Sequence, residues 1–161
     1  MTFFRGAPGV AALLLPAGAG FAHNGIHIHD PYARIIAGSG VVYFQIENMK
    51  ALPDRLTGAR TDLGMALLMN STANADGVTQ MHAVPESFAV EAGQVRSLSA
   101  AADHIMLSGV TARLKTGDSF ALTLSFAGVG DVTVTVPVDN ARRTDPGAGP
   151  TPYDAMSACM D

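Results

Sequence analysis

Two side chains that bind soft metal ions lie two residues apart in the triplet His104-Ile105-Met106. In an extended strand, residues two apart point to the same face, so this imidazole and this thioether are directed to one spot. Two further methionines, Met69 and Met81, precede the triplet. Thioether sulfur with one imidazole nitrogen favours Cu(I), whereas Mg²⁺ and Ca²⁺ prefer oxygen ligands. The residue types therefore indicate a soft-metal site.

A plainer interpretation of the same residues is that they are structural. A methionine on a β-strand often fills a gap in the core, and a lone histidine is often a surface residue. The alternation of the strand argues against this, because Ile105 and Leu107 occupy the phase expected to be buried. His104 and Met106 then lie on the opposite face, where a core role is weaker. Spacing alone leaves both interpretations open.

The first residues have the pattern of an export signal. Arg5 gives a positive start, Val10 to Leu15 is a short apolar run, and Gly20-Phe21-Ala22 offers the small residues that a signal peptidase reads. We therefore predict that residues 1–22 are a signal peptide and that the mature chain begins at His23. No other stretch is apolar and long enough for a membrane-spanning helix, so no membrane insertion is expected after cleavage.

A second group of histidines follows this predicted cleavage point. Cleavage gives His23 a free α-amine beside its imidazole, and His27 and His29 share one face of a short strand. An amine with imidazoles prefers Cu(II), so these three residues are a candidate second site. The alternative is that His27 and His29 are ordinary exposed strand residues.

Charge and cysteine content exclude several classes of function. The net charge of −4 argues against nucleic acid, whose binding requires a basic surface. The one cysteine, Cys159, excludes an internal disulfide and a CxxC zinc or redox motif. We also find no nucleophile–histidine–acid set or phosphate-binding glycine loop, so an enzyme is not expected.

The chain after the signal is predicted to be all-β. Apolar and polar residues alternate over 120–126 and again over 132–138, with the turn residues 128–131 between them, which predicts a hairpin. Further short strands are expected at 26–29 (ended by Asp30-Pro31) and at 42–46, and in the ranges 56–61, 66–69, 78–84, 87–90 and 104–107. About eight short strands indicate a β-sandwich or a Greek-key barrel over residues 23–140. Residues 141–161 are rich in proline and glycine and are predicted to form a flexible tail.

The motifs together resemble the periplasmic copper-chaperone family of the PCu(A)C type. The family's ligand pattern resembles the spacing in this chain, where eleven residues separate Met69 from Met81 and twenty-two residues separate Met81 from the triplet His104-Ile105-Met106. Each gap is one residue longer than usual, and Met69 stands where a histidine is commoner. His29 to Arg34 resembles the family's opening stretch, and Asp54-Arg55-Leu56 its Asp-Arg-Leu segment.

This resemblance implies a cupredoxin-like Greek-key sandwich that binds Cu(I) in the periplasm through Met69, Met81, His104 and Met106. It also implies delivery of copper to the CuA centre of cytochrome c oxidase subunit II during oxidase assembly, in cooperation with a Sco-type thiol protein. Only the imidazole of His104 must be neutral to bind, so we expect Cu(I) binding to compete with about one proton.

Four other functions make different demands on the sequence. An N-terminal-histidine Cu(II) carrier for copper resistance or storage would depend on His23 rather than Met81. An electron-transfer cupredoxin needs a core cysteine thiolate with two histidines, and Cys159 lies in the predicted tail. A copper oxidase or monooxygenase would need a second core histidine to pair with His23. The last is an adhesion-like β-sandwich without metal.

Overall fold

Every regular element in the described part of the chain is a β-strand. The computed structural model describes residues 21–73, 75–83, 87–100, 102–143 and 146. Among these residues, no helix is long and apolar enough to cross a membrane. The strands are β1 (Phe21–His23), β2 (Ile26–Ile36), β3 (Ser39–Asn48), β4 (Asp54–Arg60), β5 (Met65–Ala73), β6 (Thr79–Ala83), β7 (Phe88–Val90), β8 (Val95–Ser97), β9 (Asp103–Ser108), β10 (Ser119–Phe126) and β11 (Gly130–Pro137).

The strands form two antiparallel sheets. The larger sheet has seven strands in the order β1-β2-β3-β9-β5-β6, and β8 also pairs with β3. The smaller sheet has the order β11-β10-β4-β7. Strand β3 pairs with β9 along its first half and with β8 along its second half, which places β9 in the middle of the larger sheet. The all-β prediction is confirmed.

The core lies between the two sheets and follows the alternation of the sequence. In β10, Phe120, Leu122 and Leu124 are buried, and they pair with alternate valines of β11 that are also buried. Each fully buried apolar side chain of this kind contributes roughly 1.5–3 kcal/mol relative to exposure. The predicted hairpin over 120–138 is therefore confirmed, with Gly130 at a φ of +81° closing the turn.

The predicted end of the second strand at Asp30-Pro31 is wrong, because β2 continues to Ile36 through a bulge. Ile26 and Ile28 face the core before the bulge, whereas Ala33 and Ile35 face it afterwards. An extra residue is needed to change the phase of the alternation by one. Asp30 supplies it in the left-handed region, at a φ of +51°, and Pro31 lacks the N–H that a regular ladder position would require.

Strands β1 and β8, of three residues each, were not predicted. Residues 1–20 of the predicted signal peptide lie outside the described residues. So does most of the predicted tail 141–161, including Cys159. Strand β1 includes residues 21 and 22, on the N-terminal side of the predicted cleavage point.

The carboxylate of Asp54, at the start of β4, holds the turn between β10 and β11. Its oxygens accept hydrogen bonds from the backbone N–H groups of Arg55 (2.8 Å), Gly128 (2.7 Å) and Val129 (3.2 Å) and from the ammonium of Lys50 (3.0 Å). Burial opposes ionisation, but the hydrogen bonds from Arg55 and Gly128 and the nearby charge of Lys50 outweigh it. They hold the pKa of Asp54 below its ordinary value of 3.8.

Candidate metal centre

The four residues predicted as Cu(I) ligands lie on one face of the seven-stranded sheet. On β9, His104 and Met106 share the face opposite the buried Ile105. Met69 of β5 lies directly across from His104, so the two side chains share that face. Met81 of β6 pairs directly with Ser71 of β5. Ser71 lies two residues beyond Met69, so Met81 shares the face of Met69. Three adjacent strands therefore carry the predicted ligands.

The imidazole of His104 is fixed in one tautomer by its surroundings. Its Nδ1 lies 3.2 Å from the backbone carbonyl oxygen of Ala102. A carbonyl oxygen can only accept a hydrogen bond, so Nδ1 carries the proton and Nε2 carries the lone pair. The aromatic ring of Tyr43 lies beside the imidazole, with 6.3 Å between the ring centroids. This is how proteins orient a histidine that binds metal through Nε2.

The Nε2 atom of His104 has no hydrogen-bond partner among the described residues, although it is buried. Only 1% of the residue's surface is exposed, so bulk water does not satisfy this atom. A buried polar atom without a partner is uncommon and costs free energy in the folded state. A soft metal ion held with the neighbouring thioethers would supply the missing partner.

The three methionines differ in how far their strand positions lie from His104. Met69 and Met106 are direct neighbours of His104 on the sheet and are half-buried. Met81 is 58% exposed at the sheet edge, and strand spacing puts its Cα about 12 Å from that of His104. Ser71, the residue directly across from Met81, is small and lies on the same face as Met69. The role of all four residues as ligands stays a prediction.

Strand β9 is anchored at its start by a partly buried ion pair. The carboxylate of Asp103 accepts hydrogen bonds from the amide of Asn70 (2.7 Å) and from Nε of Arg96 (2.8 Å), with a second guanidinium nitrogen also in contact. Arg96 also donates to the carbonyl of Ala89 at 2.7 Å. Alternation puts Asp103 on the opposite face from His104, so the charge that fixes this strand does not face the thioethers.

Sequence reasoning missed Tyr43, which forms one wall of the site. A signal for it existed, because Val42, Phe44 and Ile46 fill the inward phase of β3 and leave Tyr43 on the outer face. The carbonyl of Ala102 had no sequence signal, since any residue can supply it.

Of the second predicted group, the structure brings two histidines together with an acidic residue. His27 and His29 are near-parallel, with ring centroids 6.0 Å apart. Nε2 of His29 lies 2.7 Å from a carboxylate oxygen of Glu47 on β3. Sequence reasoning did not include Glu47. The side chain of His23 lies outside the described residues, and its backbone pairs with Ile26.

Comparison with known proteins places this architecture in a family. Residues 26–138 match the family described as "Putative lipoprotein LpqE-like". The chain belongs to the LpqE-like family. A relative named "Putative lipoprotein", from Leifsonia xyli subsp. xyli, is 28% identical over 132 residues, covering 79% of each chain.

Solved structures similar to this LpqE-like chain are PCuAC domains. The apo PCuAC domain from PmoF1 has a TM-score of 0.65 at 18% identity, covering 75% of this chain and 98% of that domain. The copper-bound PCuAC domain from PmoF2 has a TM-score of 0.61 at 18% identity, with coverage of 75% and 97%. The CuI form of DR1885 from Deinococcus radiodurans has a TM-score of 0.55 at 25% identity, with coverage of 71% and 79%.

These likenesses confirm the predicted cupredoxin-like fold and the predicted resemblance to the PCu(A)C type. The outer face of this LpqE-like chain carries three thioethers and one imidazole on three neighbouring strands. Such donors suit a soft monovalent cation and hold it without a thiolate. A site built from these donors would hold such an ion less tightly than a thiolate site does.

Proposed function

We propose that this chain is a copper chaperone that binds Cu(I) through Nε2 of His104 and the thioethers of Met69, Met106 and Met81. The observation that carries the proposal is the buried lone pair of His104, which has no partner among the described residues and lies on the face that holds the three thioethers. Leaving such an atom unpaired costs about 1–3 kcal/mol, and a bound metal removes that cost. Two similar structures, the copper-bound PmoF2 domain and CuI-DR1885, contain copper and support this assignment.

The physiological role we propose is delivery of Cu(I) to the CuA centre of cytochrome c oxidase subunit II, together with a Sco-type thiol protein. Thioethers bind Cu(I) more weakly than thiolates, so a thiol-bearing acceptor can remove the ion down an affinity gradient. The resemblance of the ligand spacing to the PCu(A)C pattern supports this acceptor. The proposed activity is binding and transfer, with no chemical change in a substrate.

We further propose that the protein acts in the periplasm. The predicted signal at residues 1–22 supports export, and so does the description of the family and of its relative as lipoproteins. Fractionation of cells that express the full chain tests this directly. Recovery of the protein only with the cytoplasmic fraction would contradict it.

Anaerobic competition with a Cu(I)-specific chromophoric chelator tests the binding site. His104→Gln removes the proposed nitrogen donor, and His82→Gln is the matched control because His82 is exposed and pairs with Asn70, on the other face of the ladder. We expect one Cu(I) per wild-type chain, an unchanged affinity in the control, and a loss of at least tenfold in His104→Gln. Equal affinities in all three proteins would contradict the proposed site.

Transfer is measured separately by mixing the Cu(I)-loaded protein with the apo CuA domain of subunit II, with and without a reduced Sco-type protein. After separation, copper is counted on each protein. We expect copper on the CuA domain when the thiol protein is present. Retention of all copper by the donor in both mixtures would contradict delivery while leaving Cu(I) binding intact.

A further inference from the structure

We propose that His27, His29 and Glu47 form a second metal site, which takes a divalent first-row transition metal and binds Cu²⁺ most tightly. One ligand atom from each residue can be chosen so that all three lie within 4.8 Å of one another. This set differs from the sequence prediction, in which the third ligand was His23. It consists of two imidazoles and a carboxylate, with no sulfur.

The sheet register creates this cluster. His27 lies directly across from Glu47, and His29 pairs with the next outward residue of β3, Gln45. Because Ile26 and Ile28 face the core, His27 and His29 both point outward, where the Glu47 side chain also lies. The pairing fixes all three Cβ positions on rigid strands rather than on a loop, which is the arrangement that holds metal ligands in place.

The distances suit an ion with ligands at right angles. Two ligand atoms at about 2.0–2.1 Å from a metal and 90° apart are roughly 2.9 Å from each other, and opposite ligands are about 4 Å apart. Nε2 of His29 and the Glu47 oxygen are 2.7 Å apart, and the whole set spans at most 4.8 Å. A contraction of less than about 1 Å would therefore form the site. Ligands in one plane at right angles are typical of Cu²⁺.

The donor types separate this site from the Cu(I) site of the proposed function. Imidazole and carboxylate favour Cu²⁺ and Zn²⁺, and the stability order of divalent ions puts Cu²⁺ above Zn²⁺. Side chains of His29 and Glu47 are 40% and 34% exposed, so an ion can enter without opening the fold. On β3, Glu47 is about 13 Å from Tyr43, which lies beside His104, so the two sites share a face but no ligand.

Titration of the full chain with Cu²⁺ and with Zn²⁺ in air, by calorimetry, tests the inference. We expect Cu²⁺ to bind more tightly than Zn²⁺, and electron paramagnetic resonance of the Cu²⁺ form to show two imidazole nitrogens. Glu47→Gln and His29→Gln should each weaken both metals roughly ten- to hundredfold. The control His82→Gln should bind as the wild type does.

Several results would overturn the second site. They are an unchanged Cu²⁺ affinity in Glu47→Gln, the absence of divalent-metal binding by the wild type, or an equal loss in the His82 control. Loss in His23→Gln but not in Glu47→Gln would make the imidazole of His23, rather than Glu47, the third ligand. Thermal unfolding of each metal-free variant detects misfolding, and His27→Gln serves if Glu47→Gln is unstable. Cu(I) affinity should be unchanged in Glu47→Gln, so failure here is distinguishable from failure of the chaperone proposal.

Discussion

Replacing His104 with leucine should abolish Cu(I) binding and leave the metal-free protein as stable as before, or more stable. The variant removes the buried Nε2 atom, which has no partner in the described part of the chain, and this relieves about 1–3 kcal/mol. It also loses the hydrogen bond from Nδ1 to Ala102, worth about 1 kcal/mol. The Ala102 carbonyl keeps a partner, because it also accepts from the N–H of Ser71 at 3.0 Å. The expected net change is therefore between zero and a gain of about 2 kcal/mol.

Urea unfolding followed by circular dichroism measures this change, first with a Cu(I) chelator and then with excess Cu(I). At a free concentration of one hundred times Kd, Cu(I) should stabilise the wild type by about 2.7 kcal/mol and leave His104→Leu unchanged. The control His82→Leu, at an exposed position, should stay within about 0.5 kcal/mol and keep its response to Cu(I). A loss of more than about 2 kcal/mol in metal-free His104→Leu would show that Nε2 has a partner in the apo fold, and would refute the reasoning.

Three further substitutions test the site and the fold. Met69→Leu should cost less than about 1.5 kcal/mol of stability but at least tenfold in Cu(I) affinity. Met65→Leu, at an exposed position on the same face of β5, should leave that affinity unchanged. Equal effects of the two substitutions on Cu(I) affinity would contradict the site. Because the pKa of Asp54 is lowered, its stabilisation is fully present above 3.8 and is lost as the pH falls through the folded-state pKa. Asp54→Asn should therefore be less stable than the wild type at pH 7 and should lose less stability below about pH 4. The measurement is the unfolding free energy of both proteins as a function of pH, and an equal dependence on pH would count against the prediction. Gly128→Ala would place a Cβ 2.6 Å from the Asp54 carboxylate, so it should lower the unfolding free energy by roughly 1–3 kcal/mol, and a neutral result would contradict the packing at this turn.

The parts of the molecule that sequence could predict are those set by alternation within one strand. Apolar residues occupy every second position over 120–126 and over 132–138, and this period of two predicted the two strands of a hairpin. The same rule placed His104 and Met106 on the face opposite Ile105. The resemblance of the ligand spacing to the PCu(A)C pattern added Met69 and Met81, which lie on other strands, to the predicted ligands. Their shared face then followed from the register.

The parts that could not be predicted depend on contacts between distant residues. Asp30 adopts a left-handed conformation and pairs with Arg142, 112 residues later. Because the local sequence does not show this distant contact, Asp30-Pro31 was interpreted as the end of the strand rather than as a bulge. The association of Glu47 with His29 depends on the register of β2 against β3, which the sequence does not state. The tautomer of His104 depends on the carbonyl of Ala102, and a backbone acceptor carries no side-chain signature.

X-ray absorption at the copper edge, on the anaerobic Cu(I)-loaded protein, tests the central claim most directly because it counts the neighbours of the metal. We predict one nitrogen neighbour and three sulfur neighbours, with the nitrogen lost in His104→Gln. A first shell of nitrogen and oxygen alone, or a spectrum that the His104 substitution does not change, would contradict it.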